Sequence, residues 1–202
     1  MPYKVTMKHE NNWEISVSKW IILLAAIGIG ALLTPLVEAA SPTSPPGDYP
    51  SCASFGVQKL LDKKKALPFS LKAVDGNQIS LSDLQGKPAM LFFWASWCGS
   101  CKEEIPVFEK FFAAKKDQLT ILTIAIDGKS EKRIQSFIKK HRIMLPVLLD
   151  EKEKIARTYG VRMVPTAFLI DGEGFIVGMI VGERDWSLPE AWFAVKELLC
   201  LR

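Results

Sequence analysis

Two cysteines stand close together near the middle of the 202-residue chain: Cys98 and Cys101, with Gly99 and Ser100 between them. In such a pair one thiolate attacks a disulfide, and the second cysteine resolves the mixed disulfide that forms. The same spacing supplies half of many zinc sites, but these usually need a second close pair of ligands. The remaining cysteines and histidines are scattered: Cys52, Cys200, His9 and His141. The spacing therefore favours disulfide exchange without a metal or an organic cofactor.

The segments on either side of the pair predict a strand followed by a helix. Residues 89–95 form a continuous apolar run typical of a strand buried on both faces, and residues 102–116 carry apolar side chains at helical spacing. Cys98 then lies at the start of the helix, where free backbone amides and the helix dipole stabilise a thiolate. Cys98 is the predicted attacking sulfur, and Cys101, one turn further along, is the predicted resolving sulfur.

The rest of the chain alternates between helical and strand patterns. Helices are predicted at 54–65, 130–141, 151–159 and 187–199, the last with a capping box from Ser187 to Glu190. Strands are predicted at 77–81, 119–126, 145–149, 166–170 and 175–181, and residues 171–174 predict a hairpin turn between the last two. This order predicts an α/β fold with a mixed central sheet flanked by helices.

The N-terminal part of the chain predicts a membrane segment. Residues 20–37 form an apolar run long enough to span a bilayer, and the lysines before it place residues 1–19 in the cytoplasm. The remainder is then expected at the extracytoplasmic face of a bacterial inner membrane. Pro35 and the small-residue site at 37–39 leave a cleaved signal segment open, which would release a soluble periplasmic protein. Residues 38–51 predict a Pro/Ser-rich linker, followed by one domain at 52–202.

The charge balance argues against nucleic acid as a partner. The chain has 26 basic and 22 acidic residues, and no run of five like charges gathers the excess into one segment. A phosphate-binding surface needs such a concentration of positive charge.

Cys52 and Cys200 stand at the two ends of the predicted domain. In an oxidising compartment they can form a structural disulfide, and the even number of cysteines permits this pairing. Two separate thiols are equally compatible with the sequence.

Several motifs occur in the order found in one known family. Residues 93–102 (Phe-Trp-Ala-Ser-Trp-Cys-Gly-Ser-Cys-Lys), with Pro106 shortly after them, resemble the thioredoxin superfamily. The segments 102–106 (Lys-Glu-Glu-Ile-Pro), 145–150 (Leu-Pro-Val-Leu-Leu-Asp), 159–161 (Tyr-Gly-Val) and 164–171 (Val-Pro-Thr-Ala-Phe-Leu-Ile-Asp) narrow the resemblance to the TlpA/ResA branch of membrane-tethered proteins. The resemblance covers about residues 67–199. It implies a thioredoxin fold in which the helix and strand at 130–149 are an insertion.

The resemblance assigns roles to further residues. It implies that the Val164–Pro165 peptide is cis and faces the cysteine pair, where Val164 presents its backbone to an extended substrate. It also implies that Glu104 exchanges a proton with Cys101. Thioredoxins carry a buried acid on the preceding strand, and because Phe92 stands there in this chain, Glu104 is the nearest candidate for proton transfer. The alternative is that Glu104 only complements the dipole of its helix.

The resemblance also implies a function. We expect a reductant that is recharged by a membrane thiol-electron donor and acts on apocytochrome c or another secreted cysteine-containing protein. An oxidase or isomerase would have the same cysteines, because direction depends on reduction potentials. Two other classes stay open. One is a peroxiredoxin-like peroxidase, although Leu91 and Ala95 replace the proline and the threonine or serine of that class, and the other is a non-enzymatic module that binds a metal ion or a client protein.

Overall fold

The computed structural model describes residues 50–84 and 86–201. The predicted membrane segment at 20–37, the segment before it and most of the predicted linker lie outside these residues. Within them, no helix combines the length and the apolar character that crossing a membrane requires. In chain order the elements are α1 (Pro50–Ser54), β1 (Gln58–Lys65), β2 (Ser70–Lys72), β3 (Gln78–Ser80), a 3₁₀ helix (Leu81–Leu84), β4 (Ala89–Trp94), α2 (Gly99–Ala113), β5 (Thr120–Ala125), α3 (Glu131–His141), β6 (Val147–Leu149), α4 (Lys154–Thr158), β7 (Thr166–Ile170), β8 (Phe175–Val181) and α5 (Pro189–Leu199).

The main sheet has six strands in the order β1-β8-β7-β4-β5-β6. β4 runs parallel to β5 and antiparallel to β7, β5 runs parallel to β6, and β8 is antiparallel to both β7 and β1. β2 and β3 form a separate antiparallel pair. The sheet is therefore mixed, and the predicted α/β fold with helices around a mixed sheet is confirmed.

β4 has a hydrophobic core on each face, because successive side chains of a strand point in opposite directions. Phe92 and Trp94 pack in the core that includes residues of α1, α2 and α5. Leu91 and Phe93 pack in a second core with α4 and the segment 66–84. All six residues of β4 are buried. The strand that leads to the cysteine pair is thus enclosed on both faces.

The predicted insertion at 130–149 forms α3 and β6, and β6 extends the sheet beyond β5. Phe137 of α3 packs against Trp94 of β4, with ring centroids 4.9 Å apart. The predicted elements other than the first helix are found with bounds that differ by three residues at most, and β7 and β8 have the predicted bounds.

The predicted helix at 54–65 is wrong. The chain forms α1 from Pro50 to Ser54, turns at Gly56 with φ +73°, and continues as β1, which pairs with β8. The apolar spacing that suggested a helix is not used as one face, since Leu60 packs against the second core while Leu61 is 83% exposed. Both ends of β1 pair with β8, so tertiary contacts override the local pattern of this segment.

The predicted capping box of α5 is also wrong. The N-cap residue is Leu188, and its side chain makes no capping hydrogen bond. Ser187 donates instead to the carboxylate of Asp185, two residues earlier, with Oγ 2.5 Å from Oδ1. Pro189 does occupy the first turn, where its missing N–H costs no helical hydrogen bond.

Candidate active site

Cys98 and Cys101 form a disulfide at the start of α2. Cys98 is the N-cap residue, and its Sγ accepts a hydrogen bond of 3.1 Å from the backbone amide of Cys101. The hydroxyl oxygen of Ser100 lies 3.4 Å from the same sulfur. After reduction these donors face a thiolate at the positive end of a 15-residue helix, so they stabilise the charged sulfur.

The two sulfurs differ in their exposure to solvent. Cys98 is 7% exposed, whereas Cys101 is 0% exposed. A disulfide in another protein can therefore reach Cys98, while Cys101 can attack only a partner that is already attached to Cys98. This difference fits the roles predicted for the two cysteines.

The segment before β7 faces Cys98. The Val164–Pro165 peptide bond is cis, as predicted, and Pro165 is buried. The carbonyl oxygen of Val164 lies 3.6 Å from Cys98 Sγ. The structure thus brings Val164 and Pro165 to the more accessible sulfur of the pair.

Apolar side chains border this position. Trp97 directly precedes Cys98 and is 57% exposed, and Met163 directly precedes Val164 and is 56% exposed. Trp94, in contrast, is fully buried, and its indole nitrogen has no hydrogen-bond partner in the described part of the chain. Of the two tryptophans, only Trp97 is placed to contact a substrate.

Glu104 lies on α2 three residues after Cys101, so the two side chains lie on the same side of the helix. Glu104 is 3% exposed, and its Oε1 accepts a hydrogen bond from the indole N–H of Trp186. Burial raises the pKa of the Glu104 carboxyl to about 7, and the hydrogen bond from Trp186 opposes part of that rise. The carboxyl can thus exchange a proton near neutral pH.

The chain is similar to known proteins over the region that contains this site. The model of the AhpC/TSA family matches residues 63–179, which is more than half of the chain. The chain belongs to this family. It is 34% identical over 128 residues to the thiol-disulfide oxidoreductase ResA of Bacillus thuringiensis (strain Al Hakam), and the alignment covers 63% of this chain and 73% of ResA.

Two further relatives have names that describe the same chemistry. The sporulation thiol-disulfide oxidoreductase A of Bacillus subtilis (strain 168) is 30% identical over 142 residues, which cover 68% of this chain and 86% of that protein. The crystal structure of the pneumococcal exposed lipoprotein thioredoxin from Streptococcus pneumoniae strain TIGR4 has a TM-score of 0.58 and 34% identity, and the match covers 65% of this chain and 100% of that one. Together with the Cys98–Cys101 pair, these similarities identify a thiol-disulfide oxidoreductase of the ResA type.

Asp127 supports the loop that leads to Cys98 in this oxidoreductase. It lies two residues after the end of β5, is buried, and accepts hydrogen bonds of 3.0 and 2.9 Å from the Ser96 amide. The Ser96 hydroxyl also donates to Asp127. Asp127 and Trp186 are two functional residues that are not predicted from the sequence. A polar residue directly after a predicted strand is a signal for Asp127, but no local signal connects Trp186 with Glu104.

Cys52 and Cys200 are free thiols in the structure, which does not contain the disulfide that the sequence permits between them. Cys52 is buried, with Sγ 3.6 Å from the carbonyl oxygen of Ala194 and 3.8 Å from Oε2 of Glu197. Cys200 is exposed at the end of α5.

In residues 50–84 and 86–201, no three Cys, His, Asp or Glu side chains are grouped so that they could hold a metal ion.

Proposed function

We propose that this oxidoreductase reduces disulfides of secreted proteins on the extracytoplasmic side of a bacterial membrane. The observation that carries the proposal is the placement of the two sulfurs. Cys98 is slightly accessible to solvent and lies at a helix N-terminus beside the Val164 carbonyl, whereas Cys101 is completely buried. This arrangement allows an extended client chain to reach one sulfur and reserves the other for the second step.

Reduction of a client requires two exchanges. The Cys98 thiolate attacks one sulfur of the client disulfide, forms a mixed disulfide with it, and the other client sulfur leaves as a thiolate. The Cys101 thiolate then attacks Cys98, so that the Cys98–Cys101 disulfide forms and the second client thiolate leaves. The client gains two electrons, and the oxidoreductase loses two. A membrane dithiol donor returns the pair to the reduced form by the same exchanges in reverse.

Glu104 is the base that takes the proton of Cys101 before the second exchange. Both side chains are buried and one helical turn apart, so a protein group rather than bulk water must receive the proton. A carboxyl whose pKa is about 7 is suited to accept and return a proton at neutral pH.

Val164 and Pro165 position the client at the reacting sulfur. The Val164 carbonyl lies 3.6 Å from Cys98 Sγ, and Pro165 has no amide hydrogen that would compete for the client backbone. Next to Cys98 and Val164 in the chain, the exposed side chains of Trp97 and Met163 offer apolar surface to the client.

The location and the clients are supported by the sequence and by similarity. Lysines precede the apolar run at 20–37, which favours an extracytoplasmic domain, whether the run is kept as an anchor or cleaved. The similar pneumococcal protein is described as an exposed lipoprotein. The resemblance to the TlpA/ResA branch supports apocytochrome c among the clients and a membrane thiol-electron donor as the source of electrons.

Trapping in living bacteria tests this function. We expect full-length Cys101→Ser to accumulate mixed disulfides through Cys98, because the resolving sulfur is gone. Rapid acid quenching, alkylation and mass spectrometry identify the trapped proteins. The expected clients are secreted proteins with cysteines, apocytochrome c included, and the wild-type pair should be mostly reduced at steady state.

Two controls make the outcome specific. Cys98→Ser should trap nothing, and Cys101→Ser combined with Cys200→Ser should trap the same clients, because Cys200 is an exposed free thiol that could capture proteins on its own. Trapping by Cys98→Ser alone would reverse the assigned roles. Cytoplasmic clients, or a wild-type pair that is mostly oxidised, would contradict the proposed location or direction.

A further inference from the structure

Residues 182–188 form the loop between β8 and α5. This loop donates hydrogen bonds to two residues of the active site, Pro165 and Glu104. At its start, the Gly182 amide donates a 2.9 Å hydrogen bond to the carbonyl oxygen of Pro165. Further along, the Trp186 indole N–H donates to Oε1 of Glu104. The loop thus connects the proline beside Cys98 with the carboxyl one turn from Cys101.

Trp186 is held rigidly at this position. Its side chain is fully buried, and four phenylalanine rings meet it edge to face with centroids 5.0 to 6.5 Å away. These rings belong to Phe55, Phe92, Phe108 and Phe112. Edge-to-face packing from several sides fixes the plane of the indole, and therefore the direction of its N–H.

The two oxygens of Glu104 have different surroundings. Oε1 accepts the hydrogen bond from the Trp186 indole. Oε2 is buried and has no hydrogen-bond partner among the described residues. A buried polar atom without a partner costs free energy, so its presence in a protein needs an explanation, and a role in proton transfer is one. Oε2 is therefore the oxygen that remains available to a proton from Cys101.

We infer that Trp186 is a positioning residue of the exchange reaction: its N–H holds Oε1 of Glu104 and leaves Oε2 to receive the Cys101 proton. The inference rests on the proton role proposed for Glu104 above. In this step the S–H bond of Cys101 breaks, the proton goes to Oε2, and the electron pair stays on the sulfur that attacks Cys98. Trp186 keeps all its own bonds.

The surroundings of Glu104 determine how its pKa should respond to a substitution of Trp186. Burial is the largest cause of its raised pKa. The hydrogen bond from Trp186 is the main opposing effect, followed by the backbone amide of Arg184; the charge of Glu183 raises the pKa and the charge of Arg184 lowers it. On α2 itself, the Cys101 thiol shares the same face. Removal of the indole N–H withdraws a donor from the carboxylate, so the pKa of Glu104 should rise.

Trp186→Phe tests the inference, because it keeps an aromatic ring among the four phenylalanines and removes the N–H. In the oxidised full-length protein, where neither active-site cysteine titrates, ¹³C NMR of Glu104 should show a pKa about one unit higher, the size expected for one charge-assisted hydrogen bond. Release of a mixed disulfide with a Cys-x-x-Cys peptide at pH 7 should slow by roughly fivefold, since less Glu104 is ionised. Trp192→Phe is the matched control, because Trp192 packs against Phe112 and its indole is not the donor to Glu104.

The same substitution in a Glu104→Gln protein distinguishes a positioning role of Trp186 from a general disturbance of the fold. In Glu104→Gln, which has no carboxylate to position, Trp186→Phe should leave the pH profile of release unchanged. If Trp186→Phe fails to fold, benzothienylalanine at position 186, which replaces the indole N–H with sulfur, removes the donor at nearly constant shape. An unchanged Glu104 pKa in the NMR titration overturns the inference. A Glu104→Gln profile equal to wild type overturns the proton role of Glu104 instead, while client trapping through Cys98 would remain.

Discussion

The two cysteines outside the active pair have contrasting surroundings. Burial raises the pKa of the Cys52 thiol to about 11, and the nearby Glu197 carboxylate adds to the rise. At pH 8 the Cys52 thiolate fraction is then on the order of one part in a thousand. Cys200 is exposed. The two thiols should therefore react with alkylating agents at very different rates.

We expect iodoacetamide at pH 8 to modify Cys200 in the folded, oxidised protein and to leave Cys52 intact, as measured by peptide mass spectrometry. Glu197→Gln removes the negative charge beside Cys52 and should speed its modification. Cys200→Ser should abolish the rapid labelling. Equal rates at the two cysteines would show that Cys52 is not protected as the structure indicates.

At the level of single residues, the sequence predicts what depends on neighbours in the chain. Cys98 and Cys101 follow from their spacing and from the helix that starts between them. Glu104 is predicted from the family resemblance, and the structure places it on α2, one turn from Cys101. Its partner Trp186 is 82 residues away in the sequence, and only packing against four phenylalanines brings the indole to the carboxyl. Such a long-range pair has no local pattern from which it could be predicted.

At the level of elements, Asp127 connects the end of β5 with the loop before α2. Its carboxylate accepts from the Ser96 amide and hydroxyl, so the position of the Cys98 loop depends on a neighbouring strand. The parallel pairing of β4 and β5 brings the ends of both strands to the same edge of the sheet. This contact is thus a direct result of the sheet topology.

Asp127→Ala should lower the free energy of unfolding by roughly 1–3 kcal/mol, because the Ser96 amide and hydroxyl lose their acceptor. Asp127→Asn keeps one acceptor oxygen and should lose less. Urea unfolding of the oxidised protein measures both variants. Equal losses for the two substitutions would mean that the hydrogen bonds to Ser96 do not account for the effect.

Elements with a strong pattern of their own are predicted well, and weaker ones are decided by contacts elsewhere. β7 is apolar after its first residue, Thr166, and β8 is apolar throughout except for Gly178. Both strands have the predicted bounds. The segment 54–65 has only a few apolar residues between lysines, and a strand forms there because β8 offers it a free edge. Ser187 is a different case, because a local hydrogen bond to Asp185, two residues earlier, takes the place of the predicted cap of α5.

At the level of the whole molecule, the buried Glu104 connects folding stability with pH. Its carboxyl has a pKa of about 7 in the folded protein and an ordinary value of 4.5. Between these values the folded protein binds the proton and the unfolded chain does not, so stability falls as pH rises through this window. The difference in pKa corresponds to a loss of about 3 kcal/mol at most.

We expect the free energy of unfolding of the oxidised protein to decrease between pH 5 and pH 8, and Glu104→Gln to flatten this dependence. Oxidised protein is required, since reduced cysteines would add their own titrations. Urea unfolding at several pH values measures the difference between the two proteins. Parallel curves would show that Glu104 has an ordinary pKa in the folded state.

The two edges of the main sheet are both poor templates for a further strand. β1 has an irregularity between Lys59 and Lys64, both of which are exposed, and the three-residue β6 is covered where the Val74 amide donates to Val147 at 2.9 Å. Open, regular edges are where β proteins join into aggregates. In the part of the chain that the structure describes, the edges of the main sheet therefore give a strand from another chain little regular backbone to pair with. Contacts with another protein are then expected at the end of the sheet that carries Cys98 rather than along its edges.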